Sequence, residues 1–164
     1  MAPYVNPSAE VTGAVTALAE DANPVTVELE EIDEDECWRL LSTRKVGRLA
    51  INVGSYPLVF PVNHAVVAHG VVFRTAAGSK LWSTRRSHVS FEVDDFDPSS
   101  HTGWSVLIRG SAREVTSGDT NPELLETALA GAPTPWAPGP RDHLVRVVAD
   151  SITGRRIRGR DFRP

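Results

Sequence analysis

The feature that most restricts the fold of this chain is an alternation of apolar and polar residues that recurs in short segments. In the first segment, Leu49, Ile51 and Val53 alternate with Arg48, Ala50 and Asn52, which is typical of a strand with one buried face. Similar segments follow as PLVFPVNHAVVA, GVVFRTA, VSFEVDDF, GWSVLIRGSAREVT and HLVRVVADSITGRRI. Because helices between most strands are missing, the sequence predicts a mainly β, six-stranded antiparallel barrel, closed or partly closed, with a few short helices.

One helix is predicted before these strands and a second between the last two of them. Asp33, followed three residues later by Glu36, has the form of a helix N-cap, and helical spacing continues to about Ser42. A second helix is predicted over Asn121–Gly131, where leucines and alanines share one face. A further short helix is expected from Ser79 to Arg85.

The length, net charge and cysteine content of the chain exclude several classes of protein. A length of 164 residues favours one domain. Residues 1–27, with three prolines among small and polar residues, predict a flexible arm, and residues 28–164 the folded domain. A net charge of −4 opposes binding to nucleic acid or an anionic membrane surface. Cys37 is the single cysteine, so no internal disulfide or cysteine-based zinc site is possible.

The expected location of the protein follows from the absence of two sequence features. No run of about 18 apolar residues occurs, and the first residues lack the basic and apolar parts of a signal peptide. We therefore expect a cytoplasmic protein without a metal site, since no histidine has a metal-ligand spacing with a second histidine or an acid.

A locally basic turn follows the third predicted strand in this acidic chain. Arg74, Thr75, Ser79 and Lys80 provide two cations and two hydroxyl groups, and Gly78 allows close approach of the backbone. Phosphate groups are recognised by this mixture of donors. The alternative is a solvated turn that forms weak ion pairs with the nearby acidic run over residues 92–97.

Pro61 marks a second candidate site within the second predicted strand. Proline donates no ladder hydrogen bond and therefore lies at an edge or a bulge of a sheet. The main chain of Val62 and Asn63 would then be free to contact a flat heteroaromatic ligand. The alternative is that Pro61 only protects an edge strand from aggregation.

Five segments together resemble the pyridoxamine 5′-phosphate oxidase-like group of FMN-binding split barrels. They are ECWRLLSTRKVGRLAI, PLVFPVNHAV, VVFRTAAGSKL, FEVDDFDPSSHTGWSVLIRGSAREV and PWAPGPRDHLVRVVADSITGRRI, which together extend over roughly residues 28 to 160. The branch that they resemble most is related to nitroimidazole-resistance reductases. The resemblance implies a homodimer with FMN in each of two clefts between subunits.

The resemblance also implies which residues contact the cofactor. Pro61, Val62 and Asn63 would lie along the isoalloxazine ring, mostly through main-chain atoms. Phe73, Arg74 and Thr75 would meet the ribityl phosphate, and Ser79, Lys80 and Leu81 would form the phosphate turn. Trp104, Ser105 and Val106 would reach the flavin of the partner subunit.

For several other side chains the sequence leaves the role open. His64 follows the ring-facing residues and is the candidate catalytic residue, although many close relatives have tyrosine there. Trp136, among prolines, is expected to be a lid or packing residue, and Arg85 and Arg86 either extend the positive field over the phosphate or lie on a solvated surface. The extra Arg, Tyr and His residues of true pyridoxamine-phosphate oxidases are not found, so oxidation of vitamin B6 is not expected.

Three functions remain open at this point. The first is an FMN-dependent oxidoreductase that transfers hydride to or from a small organic substrate, in which the cofactor performs the chemistry. The second is a deazaflavin-dependent reductase of the same fold. The third is a flavin- or haem-binding carrier or sensor without turnover, because a fold does not determine a function.

Lys80 allows a direct test of the phosphate turn. Replacing it (Lys80→Ala) should weaken FMN binding by about 1.5–3 kcal/mol, the range for a hydrogen bond to a charged group. Titration of the protein with FMN measures this change, and an unchanged affinity would remove Lys80 from the turn.

Overall fold

The computed structural model of the protein describes residues 27–53, 55–76, 87–116 and 122–159. The arm over residues 1–26, the predicted phosphate-turn residues Ser79, Lys80 and Leu81, and the predicted short helix with Arg85 and Arg86 lie outside the described residues. The elements in chain order are β1 (Val27–Ile32), α1 (Glu34–Thr43), β2 (Val46–Val53), β3 (Tyr56–Val66), β4 (Gly70–Thr75), β5 (Ser87–Asp97), β6 (Thr102–Glu114), α2 (Pro122–Gly131) and β7 (His143–Gly159).

Six of the seven described strands close a ring. Neighbouring strands pair in the order β7-β4-β3-β2-β5-β6, and β6 pairs with β7 again. Every pairing is antiparallel. The predicted mainly β, six-stranded antiparallel barrel with a few short helices is confirmed, and β1 is an additional strand outside the ring.

Strand β7 is the longest described element and joins the two halves of the barrel. It pairs with β4 through His143–Val148 and with β1 through Gly154–Gly159, both along one edge. Its other edge pairs with β6 along most of its length. The register between β6 and β7 shifts between Arg109 and Gly110, and such a bulge adds bending and twist.

Helix α1 packs against the core, and side-chain hydrogen bonds fix its first turn. The Asp33 side chain accepts a hydrogen bond from the Glu36 N–H at 2.9 Å, so the predicted cap is confirmed. Cys37 and Leu41 are fully buried, and burial raises the pKa of the Cys37 thiol, as expected of an inert side chain. Arg156 of β7 donates to Glu36 at 2.7 Å, and hydrogen bonds from Arg39 and Arg156 lower the Glu36 pKa to about 2.

Strand β1 is held by charge pairing rather than by an apolar face. Five of its six residues are exposed. Three of its glutamates face arginines of β7 in the register, and the Arg158 guanidinium lies 2.6 Å from Glu30. The sequence analysis placed its first residue in the arm and predicted no strand here, because the segment lacks the apolar alternation of the others.

The barrel interior contains one neutral histidine among apolar side chains. His64 is 1% exposed, and its ring meets Phe91 edge to face with centroids 5.0 Å apart. Its Nε2 lies 3.0 Å from the Leu41 carbonyl oxygen and therefore carries the proton that it donates. Burial lowers the pKa of His64, so the imidazole is neutral at pH 7.

Gly110 tests the importance of the bulge between β6 and β7. A Cβ atom at this position would lie 2.0 Å from the Val148 carbonyl oxygen, which is main chain and cannot turn aside. We expect Gly110→Ala to lower the free energy of unfolding by about 1–3 kcal/mol, the usual range for overpacking. Chemical denaturation measures this change.

The control for Gly110→Ala is Gly159→Ala. Its added Cβ would meet only the Thr102 Cγ2 at an ordinary 3.5 Å, so its stability should stay close to that of the wild type. Equal stabilities of the two variants would contradict the predicted clash.

The neutral state of His64 predicts a pH dependence of stability. Because its pKa is lower in the folded protein than in the unfolded chain, the unfolded chain binds the extra proton first as the pH falls below about 6.5. Stability should therefore decrease from pH 7 to pH 5, and His64→Gln, which retains a donor but does not titrate, should show a smaller decrease. Denaturation at several pH values measures the difference, with the exposed His88→Gln as control. Identical pH profiles for wild type and His64→Gln would contradict the account.

Candidate functional site

Strands β3 and β4 separate at the point where two groups of predicted site residues begin. They pair only from His64 opposite Phe73 to Val66 opposite Val71. Before His64, residues Tyr56–Asn63 pair with β2 on one edge, and no ladder to β4 is formed within the described ranges. The second edge of this part of β3 therefore has main-chain groups available to a ligand.

The predicted ring-facing and phosphate-facing residues flank this separation. If the β3–β4 register continued, Asn63 would stand opposite Arg74 and Val62 opposite Thr75. Arg74 and Thr75 are half-buried, as are Val62 and Asn63. Phe73 is 1% exposed and belongs to the core, so a ligand could meet only its main chain. Pro61–Asn63 of β3 and Arg74–Thr75 of β4 therefore flank the point at which the two strands separate.

A cavity of about 350 Å³ adjoins Asn63. Its polar lining comes from Lys45, Asn63, His64 and Thr134, and Trp136 lies against it. The imidazole of His64, the candidate catalytic residue, bonds inward to Leu41. Lys45 supplies the only charged side chain among the lining residues, and sequence reasoning missed it because it lies at the end of α1 rather than in a motif.

The Asn63 side chain joins three parts of the chain at this cavity. Its amide nitrogen donates to the Lys45 carbonyl oxygen at 3.4 Å, and its oxygen accepts from the main-chain N–H of Trp136 at 2.8 Å. The His64 N–H donates to the same Lys45 carbonyl at 3.1 Å. These bonds fix the proline-rich segment that follows α2 onto β3 and place Trp136 at the cavity.

The third predicted group lies at the other end of β7. Trp104 faces Arg156, whereas Thr75 faces His143. In the ring, β6 neighbours neither β3 nor β4, because β2 and β5 lie between β3 and β6 on one side and β7 lies between β4 and β6 on the other. Within a single copy of the chain, Trp104 is therefore not on a strand next to the separation of β3 and β4.

The surroundings of this third group differ from those of the first two. Trp104 borders a separate open cavity of about 620 Å³, together with Asp95 and Arg156. Ser105 is half-buried, and Val106 is fully buried in the core. As with Phe73, only the main chain of Val106 is accessible to a ligand.

Large apolar side chains are exposed along the part of β3 that has no second neighbour. We call this group the β3 strip, and its members with their exposed fractions are Tyr56 (75%), Leu58 (39%), Val59 (59%) and Phe60 (40%). Contiguous exposed apolar patches mark interaction surfaces in soluble proteins. The sequence predicted the strand here but not its exposure.

The described part of the chain contains no group of three or more His, Cys, Asp or Glu side chains that could hold a metal ion. Neither of the two described helices has the length and apolar character needed to cross a membrane.

Comparison with known proteins gives consistent results. An uncharacterized protein of Mycobacterium tuberculosis, Rv0080, is 35% identical over 136 residues, which cover 79% of this chain and 86% of the relative. The structure of an FAD binding protein from Mycobacterium smegmatis is 38% identical, with a TM-score of 0.63, and the match covers 78% of this chain and 97% of that one.

A more distant structure supports the fold alone. It is provisionally named as a 5-nitroimidazole antibiotic resistance protein from Bacteroides thetaiotaomicron, is 10% identical, and has a TM-score of 0.53 over 85% of this chain and 96% of that chain. The family model for pyridoxamine 5′-phosphate oxidase matches residues 33–156. The resemblance inferred from the sequence is thereby confirmed, and the chain belongs to the pyridoxamine 5′-phosphate oxidase family.

Proposed function

We propose that the protein is a flavin-binding oxidoreductase whose cofactor site is completed by a second copy of the chain. The observation that carries this proposal is that Trp104–Val106 lie on β6, which neighbours neither β3 nor β4 in the ring. Pro61–Asn63 lie on β3, and Arg74–Thr75 lie on β4. Two copies arranged about a twofold axis would place the β6 residues of each against the β3 and β4 residues of its partner.

The residues of the first group suit a phosphorylated flavin. The free edge of β3 offers main-chain donors and acceptors to the polar rim of a flat ring system. Arg74 and Thr75 offer a cation and a hydroxyl group at the adjacent end of β4, which suit a phosphate. Ser79, Lys80 and Leu81 would continue this site in the segment that follows. We therefore propose FMN as the cofactor.

The bound flavin would supply the capacity to accept and donate hydride, and the protein residues would hold and orient it. His64 has no access to solvent and its Nε2 is already bonded to Leu41. The role that suits this geometry is to fix β3 against α1 next to the ring-facing residues. Oxidation of pyridoxamine phosphate is not proposed, because the sequence lacks the additional substrate-binding residues expected for it.

FAD is the second candidate cofactor. The relative from Mycobacterium smegmatis that is 38% identical is described as an FAD binding protein. The two flavins share the ring and the first phosphate, so Pro61–Asn63 and Arg74–Thr75 serve either of them. Deazaflavin and haem remain the alternatives for a site of this family.

Cofactor identity can be tested by titrating the purified apoprotein with FMN, FAD, a deazaflavin and haem. We expect the highest affinity for FMN, followed by reduction of the bound flavin by a nicotinamide and reoxidation by a quinone or nitro compound. Preference for FAD would show that the cofactor is FAD rather than FMN, and the proposed site residues would stay the same. Preference for deazaflavin or haem would overturn the proposed flavin chemistry, and flavin binding without any turnover would support a carrier.

The shared site predicts that dimer formation and flavin binding fail together. Val59→Glu places a charge on the β3 strip at a side chain that is 59% exposed, so the fold of the single chain should be retained. We expect a monomer by light scattering at micromolar concentration and a loss of flavin binding, because an unpaired charge opposes burial in an interface.

The matched control is Leu129→Glu on α2, where the side chain is 49% exposed and outside the β3 strip. It should remain a dimer with bound flavin. A monomeric Val59→Glu variant that binds flavin with unchanged affinity would contradict the proposal of a shared site.

A further inference from the structure

Trp136 is placed as a ligand-binding residue would be, rather than as a packing residue. Its side chain is 73% exposed, whereas tryptophan side chains in proteins are highly buried on average. Its main chain, in contrast, is fixed by the 2.8 Å hydrogen bond from its N–H to Asn63. An aromatic ring that is free on one face but held on a rigid support is suited to stacking.

The segment that contains Trp136 is rigid without being helical or extended in a sheet. It runs between α2 and β7 and contains Pro133, Pro135, Pro138 and Pro140. Proline fixes one backbone torsion angle and so lowers the flexibility of such a segment. The main chain that carries the indole is therefore restrained before any ligand binds.

The charge of the cavity next to Trp136 indicates which ligands it favours. Lys45 is its one charged lining side chain, and the side-chain amide of Asn63 already bonds to two main-chain groups. Among the described residues that line the cavity, none is acidic. A volume of about 350 Å³ is at the lower end of small-molecule sites, which suits a single ring system.

We propose that Trp136 and Lys45 select a planar, negatively charged aromatic substrate, which stacks on the indole and places its anionic group near the ammonium of Lys45. This inference rests on the proposed flavin-dependent function, because the same strand residue, Asn63, both lies at the ring-facing edge and holds Trp136. The residues proposed to bind the flavin include neither Trp136 nor Lys45. The two proposals therefore fail in different ways.

The test uses three probes on the flavin-loaded dimer: 4-nitrobenzoate, 4-nitrobenzyl alcohol and cyclohexanecarboxylate. The first is planar and anionic, the second lacks the charge, and the third lacks the planar ring. We expect 4-nitrobenzoate to bind most tightly, as measured by calorimetry and by quenching of tryptophan fluorescence. Trp136→Ala should weaken its binding by about fivefold or more, since aromatic stacking contributes roughly 0.5–1.5 kcal/mol beyond burial.

Lys45→Gln should weaken binding of 4-nitrobenzoate by about threefold at low salt, as expected for an exposed charge pair. Binding of the neutral alcohol should not change. Arg39→Gln removes an equal charge from the exposed face of α1 and serves as the charge control. Leu129→Ala removes an exposed apolar side chain from α2 and is the control for Trp136→Ala.

Three outcomes would overturn the proposal. Equal affinities of wild type and Trp136→Ala for 4-nitrobenzoate would exclude stacking, and a lower flavin affinity in Trp136→Ala would assign the indole to the cofactor. A weaker dimer by light scattering would assign it to the interface. If the protein bound no flavin, the proposed function would fail, yet tryptophan quenching by 4-nitrobenzoate in the flavin-free protein, compared between wild type and Trp136→Ala, would still test this site.

Discussion

The pairing of β7 with three other strands is the constraint on which the rest of the structure depends. One edge of β7 pairs with β4 and β1 in succession, and the other pairs with β6. This arrangement closes the ring of six strands and leaves β1 outside it. It also places β6, which carries Trp104–Val106, apart from β3 and β4, which carry the other candidate cofactor residues. In the proposed dimer, a second copy of the chain brings the two groups together.

The second constraint is the early end of the β3–β4 ladder. Only three residue pairs join these strands, and Pro61 lies three residues before His64, the first paired residue of β3. Before His64 no β3–β4 ladder is formed within the described ranges, and Pro61–Asn63 and Arg74–Thr75 flank the separation. The inward bonds of His64 keep this part of β3 against α1, so the site lies on a rigid part of the sheet rather than on a loop.

The sequence predicted the elements whose stability comes from a local pattern. Strands β2–β7 follow from the alternation of apolar residues, and α1 follows from its spacing and from Asp33 at its N-cap. Strand β1 was missed because its residues are held by arginines of β7 that are distant in sequence. Its stabilising contacts form only once the barrel has formed.

The environment of the site residues was harder to predict, because it depends on contacts between distant segments. The bond between Asn63 and Trp136 joins positions 73 residues apart, and no local pattern indicates it. The burial of His64 had a detectable signal. His64 lies on the same face of β3 as Val62 and Val66, which both pack against the core. The alternation of strand residues therefore predicts that its side chain points inward.

The central claim is that one flavin site is built from two copies of the chain. Subunit complementation tests it most directly. Arg74→Ala and Trp104→Ala should each lose flavin binding, and the two purified variants are then mixed, allowed to exchange subunits and titrated with FMN. The account predicts partial recovery, because each mixed dimer would have one intact site and one doubly altered site. A mixture that binds no more flavin than the separate variants, although light scattering and labelled subunits show exchange, would contradict it.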